Sequence, residues 1–105
     1  MRFREKSNSK GSTAMRMTTQ QKLDCLLRRF DELAESQGDG VTLSAQDIAL
    51  LMEQCGFANR NEIGFYIRSL EGRGLVVADC SADNVILQAS ITIDGYCYLD
   101  SLNGH

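Results

Sequence analysis

The sequence predicts a single α+β domain of three helices, a two-stranded hairpin and a short fourth helix. Three observations support this. Apolar residues recur at helical spacing in three successive stretches, each opened by a capping residue. Glycines at 38, 56 and 74 punctuate those stretches. Two apolar runs, at 75–78 and 85–93, then flank a short polar loop, the pattern of a hairpin.

In chain order, Thr18-Thr-Gln-Gln21 fits a capping box, and Leu23, Leu26, Leu27, Phe30 and Leu33 form the stripe of a first helix that Gly38 stops. Asp39-Gly40 is a turn, and residues 41–43 are a short extended piece. Ser44, with Asp47 three residues on, caps a second helix whose apolar face is Ile48, Ala49, Leu51, Met52 and Cys55. Gly56-Phe-Ala is a tight turn, with Gly56 supplying the left-handed residue. Asn59 and Glu62 open a third helix, 59–73, with Ile63, Tyr66, Ile67 and Leu70 inward and Arg60, Asn61, Gly64, Phe65 and Arg68 outward. Gly74 ends it. Residues 75–78 read as a strand, 79–84 as the hairpin loop, and 85–93 as a strand with Val85, Leu87, Ala89, Ile91 and Ile93 on one side. Thr92 caps a last helix at 94–102, whose Tyr96, Leu99 and Leu102 pack on the first.

A chain of 105 residues, 43% apolar and 24% charged, suits one globular core without a linker, here residues 18–105. Charge divides it. Residues 1–17 carry five cations against one carboxylate, a net +4, while 18–105 carry six against thirteen, a net −7. The tail, poor in apolar residues, is expected to lack structure alone; it is either a basic arm that follows nucleic acid or sequence upstream of a start at Met15 or Met17. No apolar stretch follows its cations, so it does not read as a secretory signal, and no run is long enough to span a membrane. The four cysteines are scattered without a C-x-x-C pair, and the one histidine is the terminal His105, which argues against zinc or any other metal. Cys25, Cys55 and Cys97 stand among apolar neighbours and are expected to be buried thiols, consistent with a reducing cytoplasm. No Lys, Arg or His adjoins Cys55, Cys80 or Cys97 to activate a thiol as a redox sensor. Without an internal histidine, nucleophile elbow, phosphate loop or ligand cluster, the chain is not expected to be an enzyme or to need a cofactor.

Helix, tight turn, helix, hairpin and short helix from 44 to 102 is the order of a winged helix-turn-helix. Leu70-Glu-Gly-Arg-Gly-Leu75, followed by strands and Ile91-Thr-Ile-Asp-Gly-Tyr96, resembles the ending of bacterial winged-helix regulators of the MarR-like and PadR-like groups. The resemblance covers 18–103 and implies a third helix that enters the major groove of double-stranded DNA, a hairpin wing on the neighbouring backbone, and a transcription regulator working as a homodimer. Leu26, Leu33, Leu99 and Leu102 are the apolar surface expected to pair the two copies. Carried onto this chain, the resemblance puts Arg60, Asn61, Phe65 and Arg68 on the groove face, Arg73 near a phosphate, and Ser44 at a helix start able to meet another.

Arginine matches the O6 and N7 acceptors of guanine, and asparagine matches adenine, so Arg60, Arg68 and Asn61 have suitable chemistry for base edges. Gly64, between the two arginines, permits close approach of another surface. Against this, residues 74–104 contain no lysine or arginine but four aspartates, so the wing cannot grip phosphate by charge. Arg2, Arg4, Lys6 and Lys10 would then supply arm contacts in a minor groove. The alternative is a winged helix that binds protein, with Phe65, Tyr98 and the acidic wing as its contact surface.

Overall fold

The computed structural model describes residues 17–38 and 40–103. Arg2, Arg4, Lys6, Lys10, the turn residue Asp39 and His105 lie outside them. The elements run α1 (Thr19–Gln37), β1 (Val41–Thr42), α2 (Ala45–Gln54), α3 (Arg60–Gly72), β2 (Val76–Ala78), β3 (Gln88–Ile91) and α4 (Ile93–Asn103). The result is an α+β arrangement of four helices and one antiparallel sheet in the order β1-β3-β2. Among the described residues, no helix is long and apolar enough to cross a membrane.

Each helix begins where a side chain meets backbone N–H groups that the helix itself leaves unpaired. The Gln21 N–H donates to Thr18 Oγ1 while the Thr18 N–H donates to Gln21 Oε1, a reciprocal capping box. Ser44 and Asp47 repeat the exchange at α2. Asn59 Oδ1 accepts from the Glu62 N–H, and Thr92 Oγ1 from the Gly95 N–H. The helix stops are equally local: Gly38, Gly56 and Gly74 all have positive φ, and at Gly56 this swings the chain from α2 into α3.

The core is where the stripes meet. Leu23, Leu26, Leu27 and Phe30 of α1, Ile48 and Leu51 of α2, and Ile63, Tyr66, Ile67 and Leu70 of α3 close over Val41, Val76, Leu87 and Ala89 of the sheet side, with Leu99 of α4 completing it. Burying each large aliphatic side chain contributes roughly 1.5–3 kcal/mol before chain entropy is counted. The sheet has one strand more than the expected hairpin. The extended piece before α2 pairs with β3, Val41 opposite Ala89, and so ties α1 and α2 to the hairpin. At the other end, α4 lies so close to the β2 entry that a Cβ on Gly95 would collide with the Leu75 carbonyl oxygen.

Several expectations are corrected. Cys25 and Cys55 are joined in a disulfide, because α1 and the end of α2 bring their Cα atoms to 5.9 Å, inside the range a disulfide bridges. Cys97 is exposed and Cys80 half-buried, so the inference of a reducing compartment from buried thiols loses its premise. Strand β3 starts at Gln88 rather than residue 85, leaving Val85 and Ile86 exposed in the loop, and Ile93 is 82% exposed as the first residue of α4. Ala49 and Met52 lie at the surface of α2. Leu26 and Leu99, expected to pair two copies, are spent inside this core, with Leu33 and Leu102 packed against it. Tyr98, expected at the surface, is half-buried against α1, where its hydroxyl donates to Asp24 at 2.5 Å and accepts from Gln20 at 2.6 Å.

Candidate functional site

Helix α3 is fixed before it can offer a face to anything. Its N-terminus is held by Asn59 and by Glu62, whose Oε1 accepts from the Ala58 N–H at 2.6 Å and whose Oε2 pairs with Lys22 of α1 at 3.4 Å. The Lys22 ammonium also stands 5.7 Å from the Phe57 ring centre and 5.8 Å from that of Tyr66, so one of the body's six cations is committed to joining α1 to α3. At the C-terminus, Glu71 accepts from the Ala78 N–H of β2 at 3.0 Å.

The hairpin loop lies along one side of α3. Ser81 organises it: its hydroxyl donates to Asp83 at 2.8 Å and accepts from the Ile86 N–H at 2.9 Å, while Asp83 also accepts from the Val85 N–H at 3.1 Å. The Ser81 hydroxyl and that N–H hold the Asp83 carboxyl below the ordinary carboxylate range. Asn84, in the left-handed region at φ 61°, reaches α3. Its Nδ2 donates to Asn61 Oδ1 at 3.1 Å, and its side chain covers Gly64. Gly64 is therefore buried rather than outward, and the surface its missing side chain admits is the protein's own loop.

The five expected contact residues between 60 and 73 fall into three groups. Asn61, Phe65 and Arg68, spaced i, i+4, i+7, share the outer stripe of α3. Phe65 is 64% exposed, and Arg68 donates weakly to the Ser81 carbonyl at 3.4 Å. Arg60 sits half-buried at the edge of that stripe. Arg73, about 140° round the helix from Arg68 at 3.6 residues per turn, turns the other way and donates to Gln20 of α1 at 3.1 Å. Among the described residues none of the three guanidinium groups pairs with a carboxylate.

Ser44 is exposed at the start of α2, but Asp47 already occupies that position: it accepts from the Ser44 N–H at 3.0 Å and the Ser44 hydroxyl at 2.9 Å, and pairs with Arg29 at 3.3 Å. Burial pushes the Asp47 carboxyl up, yet the Ser44 bonds and Arg29 together outweigh it and hold it below the usual range. An anion is thus built in where a phosphate was expected, which weakens Ser44 as a phosphate contact.

Two features escaped the sequence reading. The apolar loop residues Val85 and Ile86, 61% and 50% exposed, directly follow Asn84, the loop residue that contacts α3. The Ser-x-Asp-Asn run at 81–84 carries a turn signal that places Asn84, though not its contact with Gly64. The second feature is a groove of about 430 Å³ between α1 and the end of α2, with the Cys25–Cys55 disulfide, Arg28 and Arg29 in its wall. No sequence signal marks it. Among the described residues, no cluster of His, Cys, Asp or Glu is placed to hold a metal ion.

No family model matches the chain, and no curated protein or solved structure was found to be similar to it.

Proposed function

We propose that this is a winged helix-turn-helix domain that binds double-stranded DNA as a transcription regulator, with α2 and α3 as the helix-turn-helix and the β2–β3 hairpin as the wing. The observation that carries the reading is the outer stripe of α3: Asn61 and Arg68 project there beside Phe65, and Arg68 meets only a carbonyl oxygen among the described residues. An amide and a guanidinium one helical turn either side of an aromatic ring suit adenine, guanine and a thymine methyl group respectively. Arg60 stands at the edge of the same face, whereas Arg73, turned to α1, is a weaker candidate for a backbone phosphate. The wing has no cation to add, so affinity depends on Arg2, Arg4, Lys6 and Lys10. The test is a titration against a panel of duplexes, in which Arg68→Ala weakens binding and relaxes preference at one base pair.

A second reading, protein binding at the same face, is favoured by the three exposed apolar side chains Phe65, Val85 and Ile86 beside the Asn84 contact. An exposed aromatic residue on α3, with exposed apolar residues on the loop that contacts that helix, has the composition of an interface anchor. Phe65→Ala separates the readings. It abolishes capture of a protein partner under the second, and under the first it leaves phosphate contacts intact and lowers affinity only modestly.

Pairing of two copies, part of the first reading, needs a surface other than the buried leucines. The exposed side of α4, with Ile93, Tyr96 and Cys97, offers one such surface.

A further inference from the structure

The groove between α1 and the end of α2 brings together three things that neither reading of α3 uses. The first is the Cys25–Cys55 disulfide, which links residues 30 apart in sequence and sits immediately before the Gly56 turn. The second is the unequal exposure of its two residues: Cys55 is 1% exposed, whereas Cys25 is only half-buried in the groove wall. The third is Arg28. It lies three residues after Cys25, hence on the same face of α1, and it has no carboxylate partner among the described residues. The other charges nearby are occupied: Arg29 pairs with Glu32 at 3.0 Å and Asp47 at 3.3 Å, and Asp24 accepts from Tyr98 and Gln20.

We propose that this groove is a thiol-exchange site for a small thiol bearing carboxylate groups, held by Arg28 and directed at Cys25. The thiolate of the incoming molecule attacks Cys25 Sγ, forming a mixed disulfide there. The Cys25–Cys55 bond breaks, and its electron pair leaves on Cys55 Sγ, which takes up a proton. A second molecule of the same thiol attacks the outer sulfur of the mixed disulfide, releasing the Cys25 thiolate and the oxidised small-molecule disulfide. Two thiols are oxidised and one protein disulfide is reduced, so electrons balance without another reagent. The order follows from that exposure, since Cys55 is buried and Cys25 only half-buried. Opening the bond unlinks α1 from the turn between α2 and α3, which places the groove where a small-molecule redox state is read by the fold. This site stands whether or not α3 binds DNA.

The probe is reduced glutathione, compared with its diethyl ester at equal thiolate concentration, acting on the air-oxidised full-length chain. Alkylation followed by peptide mapping distinguishes Cys25 and Cys55 from Cys80 and Cys97. For the unaltered protein at low salt the acid reacts about fivefold faster than the ester, the range of one exposed charge pair, with glutathione found on Cys25. Arg28→Ala brings the ratio to about one, and Arg28→Lys restores most of it. The proposal is overturned if the ratio is the same with and without Arg28, if the mixed disulfide forms on Cys55, or if both cysteines alkylate as free thiols in the oxidised protein.

Discussion

The amide of Asn84 lies against the bare Cα of Gly64, where an added Cβ would come within 2.6 Å of Asn84 Oδ1. That contact holds the hairpin loop on α3, and the same amide bonds Asn61. The loop, rather than a ligand, thus accounts for a glycine in the middle of the outer helix.

Gly64→Ala puts two effects in opposition. The helix gains about 1 kcal/mol from replacing glycine, and the displaced Asn84 gives up a hydrogen bond of similar net worth. Global stability is expected to move by less than about 1 kcal/mol, while amide hydrogen exchange quickens across residues 81–86. Unchanged exchange in that loop would show that Asn84 does not secure it.

Reducing the disulfide, or replacing Cys25 and Cys55 with serine, frees a ring whose closure spans 30 residues. On the chain-entropy account a ring of that size is worth roughly 3–4 kcal/mol. The urea midpoint should fall accordingly between oxidised and reduced protein, with Cys80→Ser and Cys97→Ser leaving it in place. Identical midpoints would mean that the two sulfurs are not bonded.

Asp47 gives a pH signature. Its folded-state pKa is depressed, so its contribution is present above the unfolded value of about 3.9 and is lost as pH falls through the folded one. Asp47→Asn removes half of a helix cap and the Arg29 pairing, a loss of about 1 kcal/mol near neutral pH. Thermal melting should therefore separate the two proteins at pH 6–7 and bring them together as acid protonates Asp47. A difference constant down to the acid end would place the effect in packing instead.

Much of this fold is legible in the sequence, because caps and stops are local. Thr18 with Gln21, Ser44 with Asp47 and Asn59 with Glu62 are each three residues apart, and the left-handed glycines end what those caps begin. The inward faces of α1 and α3 follow from helical period alone. What period cannot show is which apolar residue finds cover from a distant element. Val85 alternates with Leu87 and Ala89 as a strand residue would, but the bonds of Ser81 to Ile86 and Asp83 bend that segment into a loop. Cys25 and Cys55 read as two ordinary apolar positions because their meeting depends on how α1 crosses the end of α2. Helical angle alone turns Gly64 outward, and the loop that buries it comes from 20 residues later in the chain. On α3 the period turns Arg60, Asn61, Gly64, Phe65 and Arg68 outward, and of these Asn61, Phe65 and Arg68 are exposed, Arg60 is half-buried and Gly64 is buried; the direction of Arg73 is set by Gln20 of α1, out of reach of any local pattern.

The most direct test of DNA binding is the equilibrium association with duplex DNA across a salt series, for the full chain and for a variant with Arg2, Arg4, Lys6 and Lys10 changed to glutamine. The account predicts binding at low salt, a log–log slope near −0.9 per phosphate neutralised, and a clearly shallower slope in the variant. Absence of duplex binding at low salt by the full chain would contradict it.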